Sequence, residues 1–241
     1  MPTRRATLLT VAVVLASLSL AACSDNDTDD ATSTSPTSAV PPTTSASSAT
    51  TTSPATAAEQ PETAVWPFAS GTTRFSDPVA VASSFATDYL GFVDPVVGTF
   101  QEGDSRSGEV EIRPRADGPA TTVFVRQLTD DDSWWVLGCA APSIELTEPG
   151  ALVAISSPVT LSGQSTAFEA NVNVEIRQDE SIAPLAQDFV MGGSMGEMGP
   201  FSKAIAFDPP TAPAGAVVLR TFSMEDGATD EAAVLRVAFA P

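Results

Sequence analysis

Between Ala167 and Arg177 the side chains change character at every step. Phe168, Ala170, Val172, Val174 and Ile176 alternate with Glu169, Asn171, Asn173, Glu175 and Arg177. Successive residues of a strand point to opposite faces, so this period of two predicts a long strand with one buried and one solvated face. Upstream, Val159 and Leu161 alternate with Thr160 and Ser162, a shorter strand. Ser157-Pro158 fits an edge start, because proline cannot donate to a ladder. Gly163-Gln164 supplies a turn. Two antiparallel strands sharing one apolar face need a second sheet to cover it, so a β-sandwich is the expected completion.

The same stretch carries a family resemblance. The pattern S-P-x-x-L-x-G-x-x-x-A-F-E-A-x-V-x-V-x-I on residues 157 to 176 resembles the start of the Gmad2 family, the immunoglobulin-like domain named from bacterial spore-germination proteins. Gly199-Pro200-Phe201 before Ala204–Phe207, and Asp226-Gly227 before a closing strand at Ala233–Phe239, fit as well. The resemblance covers 151–241. It implies an Ig-like fold and a cell-envelope setting, and its name alone suggests germination or sporulation. It supplies no catalytic residues.

Residues 65–147 form a separate block. Asp77-Pro78 is a helix start: Asp caps free N–H groups, and proline at the first turn loses none that it needs. Val81, Phe85 and Tyr89 recur every four residues beside Ala82 and Ala86, and Gly91 is the expected stop. Glu109–Arg113 alternates, Thr122–Arg126 is β-rich, Asp130-Asp131-Asp132 reads as a solvated turn, and Ser133–Leu137 returns as a strand. Ala141–Leu146 would extend that sheet. One main helix on an antiparallel sheet is a small α+β domain. The order of helix, curved sheet and Trp-Trp-Val is similar to nuclear-transport-factor-like cone folds. That likeness implies a pocket between helix and sheet, lined by Tyr89, Phe124 and Trp134. Aromatics at these periods also simply build a core.

The start of the chain sets the expected location. Arg4-Arg5 precedes an apolar run, Leu8–Leu20, too short to span a bilayer comfortably. Leu20-Ala21-Ala22-Cys23 resembles a bacterial lipobox, which implies a signal peptide over 1–22 and a diacylglyceryl group on Cys23. Two acyl chains hold a protein to a membrane far better than one. The expected site is therefore the extracytoplasmic face of the cell membrane, lipid-anchored. Residues 23–64 are rich in Ser, Thr, Ala and Pro, and too poor in apolar surface to offset the entropy of ordering. They read as a disordered linker with O-glycosylation potential, about 35 Å long as a coil. Low Lys with abundant Ala, Thr and Val suits an actinobacterial genome.

Composition excludes several chemistries. The chain has no His, which removes the usual triads and most zinc sites. With Cys23 lipidated, Cys139 has no disulfide partner and reads as a small buried residue. Met191, Met195 and Met198 could take Cu(I), but no His or Cys accompanies them. Asp130-Asp131-Asp132 lacks the oxygen spacing and glycine of a calcium loop. From Trp66 onward nine Lys plus Arg face twenty-four Asp plus Glu, a net charge of −15 that repels nucleic acid. No cofactor or metal is expected, and no catalysis.

The expected protein is mostly β, with two domains: the α+β domain, then an Ig-like β-sandwich. Its expected work is that of a non-catalytic interaction or scaffold module, meeting an envelope protein or a cell-wall glycan. The alternative is a small-ligand carrier using the pocket of the α+β domain.

Overall fold

The computed structural model describes residues 60–241. The expected signal peptide, Cys23 and the linker as far as residue 59 lie outside the described residues. The last of the expected linker belongs to the fold: Pro61–Thr63 make a 3-10 turn, and Ala64 and Val65 are buried. No helix among the described residues is long and apolar enough to cross a membrane.

The helix begins where its chemistry dictates. The Asp77 carboxylate accepts from the Ala80 N–H at 2.7 Å, and Pro78 occupies the first helical position. Helix α1 (Pro78–Ser84) runs on into a π turn at Phe85–Tyr89, where the Leu90 N–H reaches the Phe85 carbonyl at 3.0 Å. Gly91 ends it at φ +75°, a left-handed conformation that glycine adopts freely. Val81, Ala82, Phe85, Ala86 and Tyr89 are all buried.

Twelve strands follow: β1 (Val96–Asp104), β2 (Ser107–Arg113), β3 (Thr121–Gln127), β4 (Trp134–Ala140), β5 (Ile144–Glu148), β6 (Ala154–Ile155), β7 (Val159–Ser165), β8 (Asn171–Gln178), β9 (Pro184–Met191), β10 (Gly199–Ile205), β11 (Ala214–Phe222) and β12 (Thr229–Phe239). The chain is mostly β, and apart from the parallel β6–β12 pair its sheets are antiparallel. β1 was not expected, because an edge strand with mostly exposed side chains leaves little period-two signal.

The strands form a large sheet in the order β1-β2-β3-β4-β12-β11-β8-β9, with β6 beside β12, and a small one in the order β10-β7-β5. Strands on both sides of the expected domain boundary thus share the large sheet. They meet where Cys139 of β4 pairs with Val234 of β12. The approach is close: a Cβ on Gly138 would sit 2.4 Å from the Val234 carbonyl oxygen.

Two cores flank this sheet. On one face α1 packs against β2, β3 and β4 and reaches Ala216, Val218, Ala232 and Val234. On the other face the small sheet brings Leu161, Val159, Phe201 and Ile205 against Val172, Val174, Ile176, Val217 and Leu219. β11 is therefore buried on both faces and β12 over most of its length, which explains their nearly unbroken apolar runs.

Three local expectations change. The strand expected from Ala167 starts at Asn171. Phe168–Ala170 form a 3-10 turn, with left-handed backbone at Glu169 and Ala170 that breaks the alternation. Gly163-Gln164 is no turn: β7 runs through it as the central strand of the small sheet, and Gly163 is required because a Cβ there would meet the Glu145 carbonyl. β5, expected to extend the first sheet, pairs with β7 instead.

Candidate functional site

The pocket expected between helix and sheet is filled. Tyr89 stacks on Phe85 with ring centroids 5.2 Å apart and lies 5.8 Å from Trp66, while Trp134 meets Phe100 edge-on at 5.2 Å. Tyr89 and Trp134 belong to the core beneath α1. Phe124 does not join them. Its neighbours Val123 and Val125 point toward the helix, so strand alternation sends Phe124 to the opposite face, where it is partly exposed and borders a cavity. The sheet itself thus separates Phe124 from the other two expected lining residues.

The polar face of β8 is the larger surprise. Expected to meet solvent, Glu175 and Arg177 are 6% and 5% exposed. The Arg177 guanidinium grips Glu175 Oε2, with Nε at 2.7 Å and Nη2 at 2.5 Å. Arg220 of β11 takes the other carboxylate oxygen, and Gln187 Nε2 donates to the same oxygen at 3.4 Å. Two guanidiniums against one carboxylate leave positive charge over, and the end of α1 meets it. Arg177 donates to the Tyr89 carbonyl at 2.6 Å, and Arg220 to the Leu90 carbonyl at 2.9 Å. Thr229 Oγ1 also donates to Leu90 at 3.0 Å. A helix C-terminus offers unpaired carbonyls and partial negative charge, so cations there are doubly favoured. Nearby, Arg236 of β12 is held by Asp179 and donates to the Glu62 carbonyl.

Tyr89 is caught in this network. Arg177 lies 4.7 Å over its ring. Burial pushes its phenol up to about 12, against the opposing pull of Arg177 and Arg236. Burial likewise raises the Glu231 carboxyl, although Ser143 donates to it. Sequence reading missed this cluster, yet a signal existed: Arg220 and Arg236 each interrupt a long apolar run, in VVLRTF and AVLRVAF. A charge inside a strand buried on both faces needs a partner.

The other expected residues have plainer surroundings. Asp131 accepts from Thr129 Oγ1 and from the Ser133 N–H at 3.1 Å, and Asp132 faces Arg106 at 3.5 Å. The acidic triplet is thus a turn whose carboxylates are partly engaged by the chain. Cys139 is buried, with its thiol donating to the Ala232 carbonyl at 3.4 Å, and burial raises its pKa. Among the described residues no three His, Cys, Asp or Glu side chains gather as a metal site.

The methionine loop lies against the Phe168 turn. The Ala167 N–H donates to the Gly193 carbonyl at 3.2 Å, and the Gly192 N–H to Ala170 at 3.1 Å. These two loops present Phe168, Met191, Met195 and Met198 at 60%, 59%, 93% and 40% exposure. Phe189, which points to the same side of β9 as Met191, is also exposed, with Lys203 Nζ 4.4 Å over its ring.

Residues 143–228 match the Gmad2 family, described as the immunoglobulin-like domain of bacterial spore germination. This Ig-like domain takes in β5 and ends just before β12, the strand that joins it to the rest of the large sheet. No curated protein and no solved structure matches the chain.

Proposed function

We propose that this protein is a non-catalytic bacterial lipoprotein, held by Cys23 at the outer face of the cell membrane, whose Ig-like domain is an interaction module for another envelope protein or a neutral wall glycan. One observation carries the reading: the cluster of Phe168, Met191, Met195 and Met198 on two loops tied together by backbone hydrogen bonds. Exposed large apolar residues gathered in one place mark interaction sites, and methionine adapts its shape to a partner. Left-handed backbone at Glu169, Ala170 and Met195 adds to it, since strained conformations gather where a surface is put to use. Glu169 and Glu197 flank the loops, so an anionic partner is disfavoured. A lipid on Cys23 and a long linker would give the module reach from the membrane.

Crosslinking on intact cells tests this. The anchored protein should give a discrete adduct that is absent from a secreted Cys23→Ala control and from a Phe168→Ser/Met195→Ser variant. An adduct unchanged by the double substitution removes these loops as the docking surface. No adduct above the control removes the reading. A carrier pocket beneath α1 has no support, because that interface is filled by packed side chains.

A further inference from the structure

The face of β3, β4 and β12 turned away from the helix is not fully covered. The small sheet begins with β5, which stands to one side of it, and between them lies a cavity of about 880 Å³. Phe124, Leu137 and Leu235 line its floor, with Ile144 and Leu146 of β5 and the half-exposed Leu152 at its sides. Small-molecule sites run to about 300–1,000 Å³, are mostly apolar and carry a few polar groups that fix orientation.

The polar groups here are unequal. Arg106 is committed: it donates to the Thr129 carbonyl at 2.7 Å and pairs with Asp132 at 3.5 Å. Arg126 is not. Of the nine Lys and Arg side chains from Trp66 onward, it alone makes neither a hydrogen bond nor an ion pair among the described residues. In a region whose net charge is −15, Arg126 feels the exposed Asp104 carboxylate only at a distance and has no hydrogen-bonded partner among the described residues, so its guanidinium is free to take an anion beside the apolar cavity. Asp130 and Glu145 also border the cavity, so a ligand with several negative charges would be repelled. One carboxylate suits the planar guanidinium, which binds it two-pronged.

We propose that this cavity binds a single-chain amphiphile with one carboxylate head, in chemistry a fatty acid, its chain against Phe124, Leu137 and Leu235 and its carboxylate on Arg126. The site is distinct from the Phe168–Met195 surface, and either can fail without the other.

Calorimetric titration of the full chain carrying Cys23→Ala, without detergent, tests it with decanoate, laurate, palmitate and hexadecanol. Palmitate should bind one per chain. Affinity should rise along the acid series by up to about fourfold per buried methylene. Palmitate should bind better than hexadecanol by about fivefold, the strength of one partly exposed ion pair. Arg126→Gln should erase that difference and leave hexadecanol unchanged, and Leu137→Asp should abolish both. Arg126 is exposed, so its loss does not threaten the fold. No palmitate binding, palmitate binding equal to that of hexadecanol, or binding indifferent to Arg126→Gln overturns the proposal. So does a dimer that Leu152→Glu dissociates, which would assign the cavity to a second copy.

Discussion

Glu175 occupies a position that alternation alone assigns to solvent, and it ends up holding two guanidiniums in the interior. Breaking a buried pair by removing one partner leaves uncompensated charge and costs about 3–5 kcal/mol. Glu175→Ala should therefore lower the urea midpoint by that equivalent, whereas Asn173→Ala, also on this face but only partly buried, should cost less than about 1 kcal/mol. Tyr89, the chain's one tyrosine, reports on the same cluster spectroscopically. Its phenol ionises at 10.0 in the ordinary case and at about 12 here. Below that window both folded and unfolded chains keep the proton and the stabilisation is complete. Within it only the unfolded chain loses its proton, so stability falls as pH rises, by about 2–3 kcal/mol in total. Tyrosinate absorbance should show a native midpoint near the upper value and a urea-unfolded midpoint near the lower. A native midpoint at the ordinary value would place Tyr89 in water.

Elements show where sequence signals succeed and where they stop. The start and the stop of the helical segment were legible because a cap, a first-turn proline, a four-residue apolar spacing and a terminal glycine are all local, while the change to a π turn at Phe85 left no sequence signal. Asp77→Ala should cost about 1 kcal/mol, read by thermal melting. β2, β3 and β4 were legible because each buries one face in regular alternation or holds an apolar run. β5 was legible as a strand but not by sheet. Its partner is β7, where Gly163, eighteen positions beyond Glu145 in sequence, leaves room for the Glu145 carbonyl. The start of β8 was misread because Phe168 and Ala170 keep the alternating pattern while the backbone turns away from it. Ala170 holds φ +61°. Glycine takes that conformation without strain, so Ala170→Gly should stabilise by roughly 0.5 kcal/mol, and Ala170→Val should destabilise, in paired denaturant titrations.

At the scale of the molecule, the β4–β12 seam and the Arg177–Arg220 grip on the end of α1 tie the helical half to the Ig-like half. A shared sheet and shared buried charge predict one cooperative unfolding step. Trp66, Trp134 and Trp135 all lie in the first half, so their fluorescence follows that half alone. Its denaturation curve should coincide with far-ultraviolet circular dichroism, which follows the strands of both, and Glu175→Ala should shift the two curves together. Separate transitions would mean two domains that merely touch.

The sequence by itself determined what depends on near neighbours: the cap and stop of the helix, the strands with one wet face, the burial of Cys139, and the acidic balance of the chain. It also located the Ig-like stretch. Only the tertiary structure decided which sheet each strand joins, that the polar face of β8 is roofed by a helix end, and that Phe124 stands across the sheet from Tyr89 and Trp134. The reason is that alternation fixes which side chains share a face, while what covers that face is set by residues far away in sequence. Glu175 reads as a surface carboxylate until Tyr89 and Leu90, more than eighty positions earlier, bring their carbonyls to the arginines that hold it.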